Sequence, residues 1–172
     1  SDVLGLSSLV DMLHSEPRGT SSSVLGPFHI TGSPPLEIGG DLRQDFDDQV
    51  LVASGTVKDE NGDPIEGAEL DIWQTAPNGL YSSQDPPSDG PVGQILEASG
   101  RQPWRPSHLH YIVTAPGFRP LVTEIFPDDD PYLDQDTVFG VREDLVMTYV
   151  EQPAGSFPPE GYVLSGKVDG PW

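Results

Sequence analysis

The chain has no cysteine, which removes disulfides and thiolate metal ligands together. It is also poor in positive charge: 8 Lys and Arg face 28 Asp and Glu, a formal net charge of −20. Nucleic-acid binding rests mainly on phosphate neutralisation by cations, so it is excluded as a function. The same field repels anionic membrane surfaces and anionic substrates, which leaves a neutral small molecule as the easier ligand. No apolar run approaches the length of a membrane span, and no basic start precedes an apolar segment. Together with the missing cysteines, this gives a cytoplasmic location as the expectation. Histidine is scarce too, with four in 172 residues.

What is abundant is turn chemistry, 19 Gly and 19 Pro, set between short β-branched runs. That combination points to an all-β sandwich. Residues 3–13 are the exception. Leu6, Leu9, Val10 and Leu13 recur at helical spacing and predict a short amphipathic helix. Residues 1–44 are therefore expected to form a helix and an extended arm, and residues 45–172 the sandwich. Strands are predicted at 50–57, 68–74, 108–114, 121–126, 145–150 and 161–168. An Asn61-Gly62 turn follows the first, and a Pro116-Gly117 turn joins the third to the fourth.

Two of the four histidines stand as His108-Leu109-His110. In a strand, residues i and i+2 project from one face, so two imidazoles there can converge on one metal ion. Taken alone, the tripeptide is equally a pair on a solvated strand face. Its surroundings weigh against that. Trp104-Arg105-Pro106-Ser107 leads into it with a fixed cation and a rigid turn. Gly79-Leu80-Tyr81 presents a tyrosine after a strong strand. A phenol ionises near pH 10 and becomes a ligand at neutral pH only beside a metal or a cation. As tyrosinate it is a hard oxygen donor suited to ferric iron. By itself Tyr81 reads equally well as an aromatic packing at a strand end.

The ordered motifs resemble the intradiol ring-cleavage dioxygenases, in particular the catechol and hydroxyquinol 1,2-dioxygenase branch. The resemblance is carried by residues 55–74, by Gly79-Leu80-Tyr81-Ser82, and by Asp89-Gly90-Pro91-Val92-Gly93. It continues through Arg105-Pro106-Ser107-His108-Leu109-His110-Tyr111, residues 121–126, Asp130-Pro131-Tyr132-Leu133-Asp134 and Phe139-Gly140-Val141-Arg142. It implies a β-sandwich catalytic domain whose short N-terminal helix is left from a helical linker domain, with a homodimer formed through that region. It also implies Fe(III) held by Tyr81, His108 and His110, with Arg105 as the catalytic cation. Val24, Leu25, Gly26, Pro27, Glu124, Thr137 and Val138 then line the substrate site, with packing the competing role for most of them. The implied reaction cleaves the ring of a small aromatic diol or triol with O2, between the two hydroxylated carbons, to a muconate-type product. The Asp-Pro-Tyr-Leu-Asp and Val-Phe-Gly-Val runs and the residue 23–28 arm lean towards hydroxyquinol.

The chain also departs from that family. Between Tyr81 and Asp89 it lacks the longer stretch that carries a strand pair and a second tyrosinate, and Tyr111, Tyr132, Tyr149 and Tyr162 match other family positions. Two explanations stand: a true deletion, or a join near Pro86-Pro87 where residues are missing from the chain as given. The gap leaves room for a reading of another class, a metal-free β-sandwich binding module. A zinc hydrolase using His-x-His is a third reading, and it needs an acidic ligand that no motif supplies.

Overall fold

A computed structural model describes residues 1–14, 18–42, 50–76, 79–81 and 90–153. The chain divides into two compact units, Ser1–His29 with Val57–Tyr149, and Ile30–Thr56 with Val150–Trp172. The described residues of the second unit form no helix or strand. Every candidate site residue belongs to the first unit.

The predicted N-terminal helix is present as α1, Leu6–His14, entered through a 3-10 turn at Asp2–Leu4. Its apolar face is open: Leu6, Leu9 and Leu13 are each more than half exposed. The buried residue is Ser8, whose hydroxyl donates to the Phe139 carbonyl at 2.7 Å. Gly5 joins turn to helix at φ +72°, and a Cβ there would stand 3.1 Å from the Phe139 ring. Backbone conformation and close approach both call for glycine.

The first unit is built on one four-stranded sheet. β1 (Glu69–Trp73), β2 (Leu109–Thr114) and β3 (Leu121–Pro127) form an antiparallel meander, and the short β4 (Val146–Met147) adds in parallel to β3. The β2–β3 turn lies at Pro116-Gly117 as the sequence predicts, with Gly117 at φ +83°. The pairing register does the decisive work. Trp73 stands opposite His110, and His110 opposite Glu124. Cross-strand partners share a face, so three strands place a tryptophan, an imidazole and a carboxylate in one row.

Two strand expectations need correction. Residues 50–57 are not a regular strand; only an isolated Lys58–Pro64 bridge follows them, because no described segment offers a ladder to those apolar residues. The Asn61-Gly62 turn is present as expected, and Asp59 holds it, accepting from the Asn61 and Asp63 amides at 2.8 and 2.9 Å. The 145–150 strand shrinks to two residues behind a 3-10 turn at Glu143–Leu145. An unexpected helix, α2 (Pro91–Ala98), starts with Pro at its first turn and buries Leu96. The predicted strand at 161–168 lies outside the described residues. The described part thus holds one small sheet and few helices. No helix among the described residues is long and apolar enough to cross a membrane.

Candidate metal centre

β2 supplies His110, the residues just before it supply His108, and the loop after β1 returns Tyr81 to the same face. Their donor atoms meet. Tyr81 Oη lies 3.1 Å from His108 Nε2 and 2.8 Å from His110 Nε2, and the two nitrogens are 3.1 Å apart. Metal–nitrogen bonds run about 2.0–2.1 Å. Donors at right angles around such an ion stand about 3 Å apart, and tetrahedral donors about 3.4 Å. The triangle therefore has the spacing of one face of an octahedral or five-coordinate site, and its phenol–imidazole–imidazole chemistry suits ferric iron better than zinc.

The imidazole tautomers are set from behind. His108 Nδ1 lies 2.6 Å from the Pro106 carbonyl, an acceptor only, so Nδ1 carries the proton and Nε2 presents a lone pair. His110 Nδ1 faces the Glu124 carboxylate at 3.2 Å, outside hydrogen-bonding geometry, and that charge favours the same tautomer. Without metal, the inward lone pairs take the Tyr81 hydroxyl proton at His110 and an Arg105 Nη1–H at 3.0 Å from His108. Burial pushes the Tyr81 phenol up to about 12. Burial likewise pulls His110 down to about 3 and His108 below its usual range. Both histidines are thus neutral near pH 7, ready to bind metal, and Tyr81 is the protonated member. Ferric iron binding to these side chains should release one proton, from Tyr81. Its apparent affinity should then rise about tenfold per pH unit between pH 5 and 8. Competition with a chelator of known pH dependence checks this, and a flat profile would remove Tyr81 from the ligand set.

Arg105 lies against the same triangle, its side chain 18 % exposed, between Glu124 and Asp136 at 0 % and 2 %. Glu124 takes Nη1 at 2.6 Å and Nη2 at 2.9 Å, and also accepts from Ser23 Oγ at 2.6 Å. Burial alone would raise the Glu124 and Asp136 carboxyls, but the guanidinium's hydrogen bonds and charge hold both below their usual values. Glu124 is the acidic group that a zinc reading of the His pair lacks, and His108, His110 and Glu124 do cluster. Both of its oxygens, however, are engaged by Arg105, so it faces the imidazole flank as an orienting group.

Packing secures the ligand rings. Trp73 stacks on His110 with centroids 4.6 Å apart and planes 2° off parallel, and Phe28 stacks on Tyr81 at 4.8 Å and 19°. Of the predicted substrate residues, Gly26 lies against the centre, its would-be Cβ 3.9 Å from His110 Cε1. Val24 is buried, while Leu25 and Pro27 are exposed. Thr137 is buried, its hydroxyl without a partner among the described residues, and Val138 is half-buried beside it. Asp136 is a site residue that no motif marked out. Ser23, Phe28 and Gly140 lay within motifs already singled out, but no site role was expected of them.

A dioxygenase family profile matches residues 85–164. The hydroxyquinol 1,2-dioxygenase of Nocardioides simplex is 38 % identical over 204 aligned positions, covering 100 % of this chain and 68 % of the relative. The 6-chlorohydroxyquinol 1,2-dioxygenase of Cupriavidus pinatubonensis is 38 % identical over 91 % of this chain and 69 % of its own length. Among solved structures, the hydroxyquinol 1,2-dioxygenase of Pseudomonas putida DLL-E4 superposes with a TM-score of 0.79 at 36 % identity, covering 100 % of this chain and 70 % of that one. Fold and relatives define the chain as a dioxygenase. More narrowly, it belongs to the intradiol ring-cleavage dioxygenase family. It spans about two thirds of the length of these relatives. The 204 aligned positions exceed its 172 residues by 32, so the Nocardioides enzyme carries at least that many residues with no counterpart here.

Proposed function

We propose that this chain is the catalytic part of a ferric intradiol dioxygenase acting on hydroxyquinol, with catechol as the alternative substrate. The observation that carries the reading is the Tyr81–His108–His110 triangle beside a half-buried arginine, in a chain 38 % identical to a hydroxyquinol 1,2-dioxygenase. Tyr81, His108 and His110 would hold the metal. Ferric iron there would supply a Lewis acid for the two adjacent oxygens of the substrate and make its ring reactive towards O2. The protein's own groups do the rest. Tyr81 manages a proton at Oη, and Arg105 offers positive charge beside His108 where negative charge develops on substrate oxygen. Residues 24–27 and Thr137-Val138 line the two sides of the ring site. Both atoms of O2 enter the product, a hydroxymuconate that corresponds to maleylacetate for hydroxyquinol.

The reading includes the β-sandwich, the division near residue 44, and a second copy packed on the open apolar face of α1. It is tested by loading the protein with ferric iron and following ring-cleavage absorbance with hydroxyquinol, catechol and protocatechuate. The expected result is a burgundy protein with its highest kcat/KM on hydroxyquinol. A colourless protein that takes up no iron would favour a metal-free binding module, and cleavage of protocatechuate alone would overturn the branch assignment.

A further inference from the structure

A guanidinium has five N–H donors in a fixed fork, and at Arg105 each is accounted for. Nε–H donates to Asp136 Oδ1 at 2.9 Å, and one Nη2–H to Asp136 Oδ2 at 3.1 Å. The other Nη2–H and one Nη1–H go to Glu124, at 2.9 and 2.6 Å. The fifth, on Nη1, points at His108 Nε2. That lone pair is the one a metal ion would take, and this single N–H would then face the site without a protein acceptor.

We propose that Asp136, together with Glu124, locks four of the five Arg105 donors so that one N–H alone is presented to a substrate oxygen at the site, which makes Asp136 a positioning residue for ring cleavage. The proposal rests on the ferric dioxygenase reading above. Asp136 is itself fixed: it accepts from the Gly140 amide at 2.7 Å and the Val138 amide at 3.3 Å. Glu124 is pinned by Ser23. Two carboxylates on one guanidinium leave the buried cluster with surplus negative charge, an arrangement unfavourable for stability alone. Its return is orientation. A lysine has the charge but no fork, so it cannot be held by both carboxylates and still aim one donor.

The test uses iron-loaded protein and follows kcat and KM on hydroxyquinol, iron content and the visible tyrosinate absorption. Asp136→Asn and Arg105→Lys should each retain iron and colour and lower kcat on the order of 10- to 100-fold, the cost of a misplaced catalytic group, with KM little changed. Arg105→Ala should regain activity on addition of dilute guanidinium, and Arg105→Ala/Asp136→Asn should not, because the second carboxylate that seats the ion is lost. A merely structural Asp136, holding the 136–140 loop, would leave that rescue intact. Rescue of the double variant, or a kcat within twofold of wild type in either single variant, overturns the proposal. If Asp136→Asn does not fold, Arg105→Lys decides alone, since it leaves the loop's own bonds in place. Wild-type protein inactive on every diol would instead sink the functional reading.

Discussion

His110→Ala is expected to abolish ferric iron binding and ring cleavage together. The side chain is 3 % exposed, and its Nε2 forms two edges of the donor triangle, 2.8 Å from Tyr81 Oη and 3.1 Å from His108 Nε2. Loss of an outer partner of a metal ligand typically costs about 10- to 100-fold in affinity or activity, and loss of the ligand itself costs more. The remaining pair, one phenol and one imidazole, would also lose its rigid geometry. Trp73 now stacks on His110, so the deleted ring leaves a gap beside a tryptophan whose indole N–H is buried without a partner among the described residues. Metal analysis after iron loading should fall from one iron per chain to background, and the burgundy absorption should vanish. Full iron content in the variant would place the metal elsewhere.

Gly140→Ala is the second large effect, and it acts through sterics. A Cβ at Gly140 would lie 2.7 Å from Arg105 Nη2, 2.8 Å from Glu124 Oε2 and 3.0 Å from Ser23 Oγ. None of these is a loose chain end. Each is tied into the Arg105–Glu124–Ser23 network, so the methyl group must break hydrogen bonds or shift backbone. Overpacking of this kind costs about 1–3 kcal/mol, and a lost hydrogen bond to a charged group adds about 1.5–3. The melting temperature should drop by roughly 5–25 °C, and kcat by about 100-fold with iron retained. A variant with wild-type melting and turnover would show that the network is looser than its distances imply.

The two substitutions fall on opposite sides of what could be read from residue order. His108 and His110 were visible because strand alternation puts i and i+2 on one face whatever the partner strands are. Arg105 was visible through its fixed offset from them, and Tyr81 through the glycine loop before it. The helix at residues 6–14 was visible from its period, although the apolar face expected to pack is open and Ser8 is the buried residue. Residues 50–57 read as a strand because they are apolar and β-branched. A strand needs a neighbour as well as a propensity, and none is described for them.

Residue order thus determined the donor types of this centre, two imidazoles and a phenol with an arginine beside them, along with the family. Spacing within one strand and local turn chemistry are short-range properties, and the chain states them outright. Only the tertiary structure decided what those groups do to one another. The β2–β3 register set Glu124 opposite His110, where its carboxylate grips Arg105 and faces the imidazole. The return of the 136–140 loop brought Asp136 onto the same guanidinium, 31 residues along the chain from Arg105. The physical reason is that register and loop closure depend on which distant segments lie side by side, and no period in the sequence encodes that.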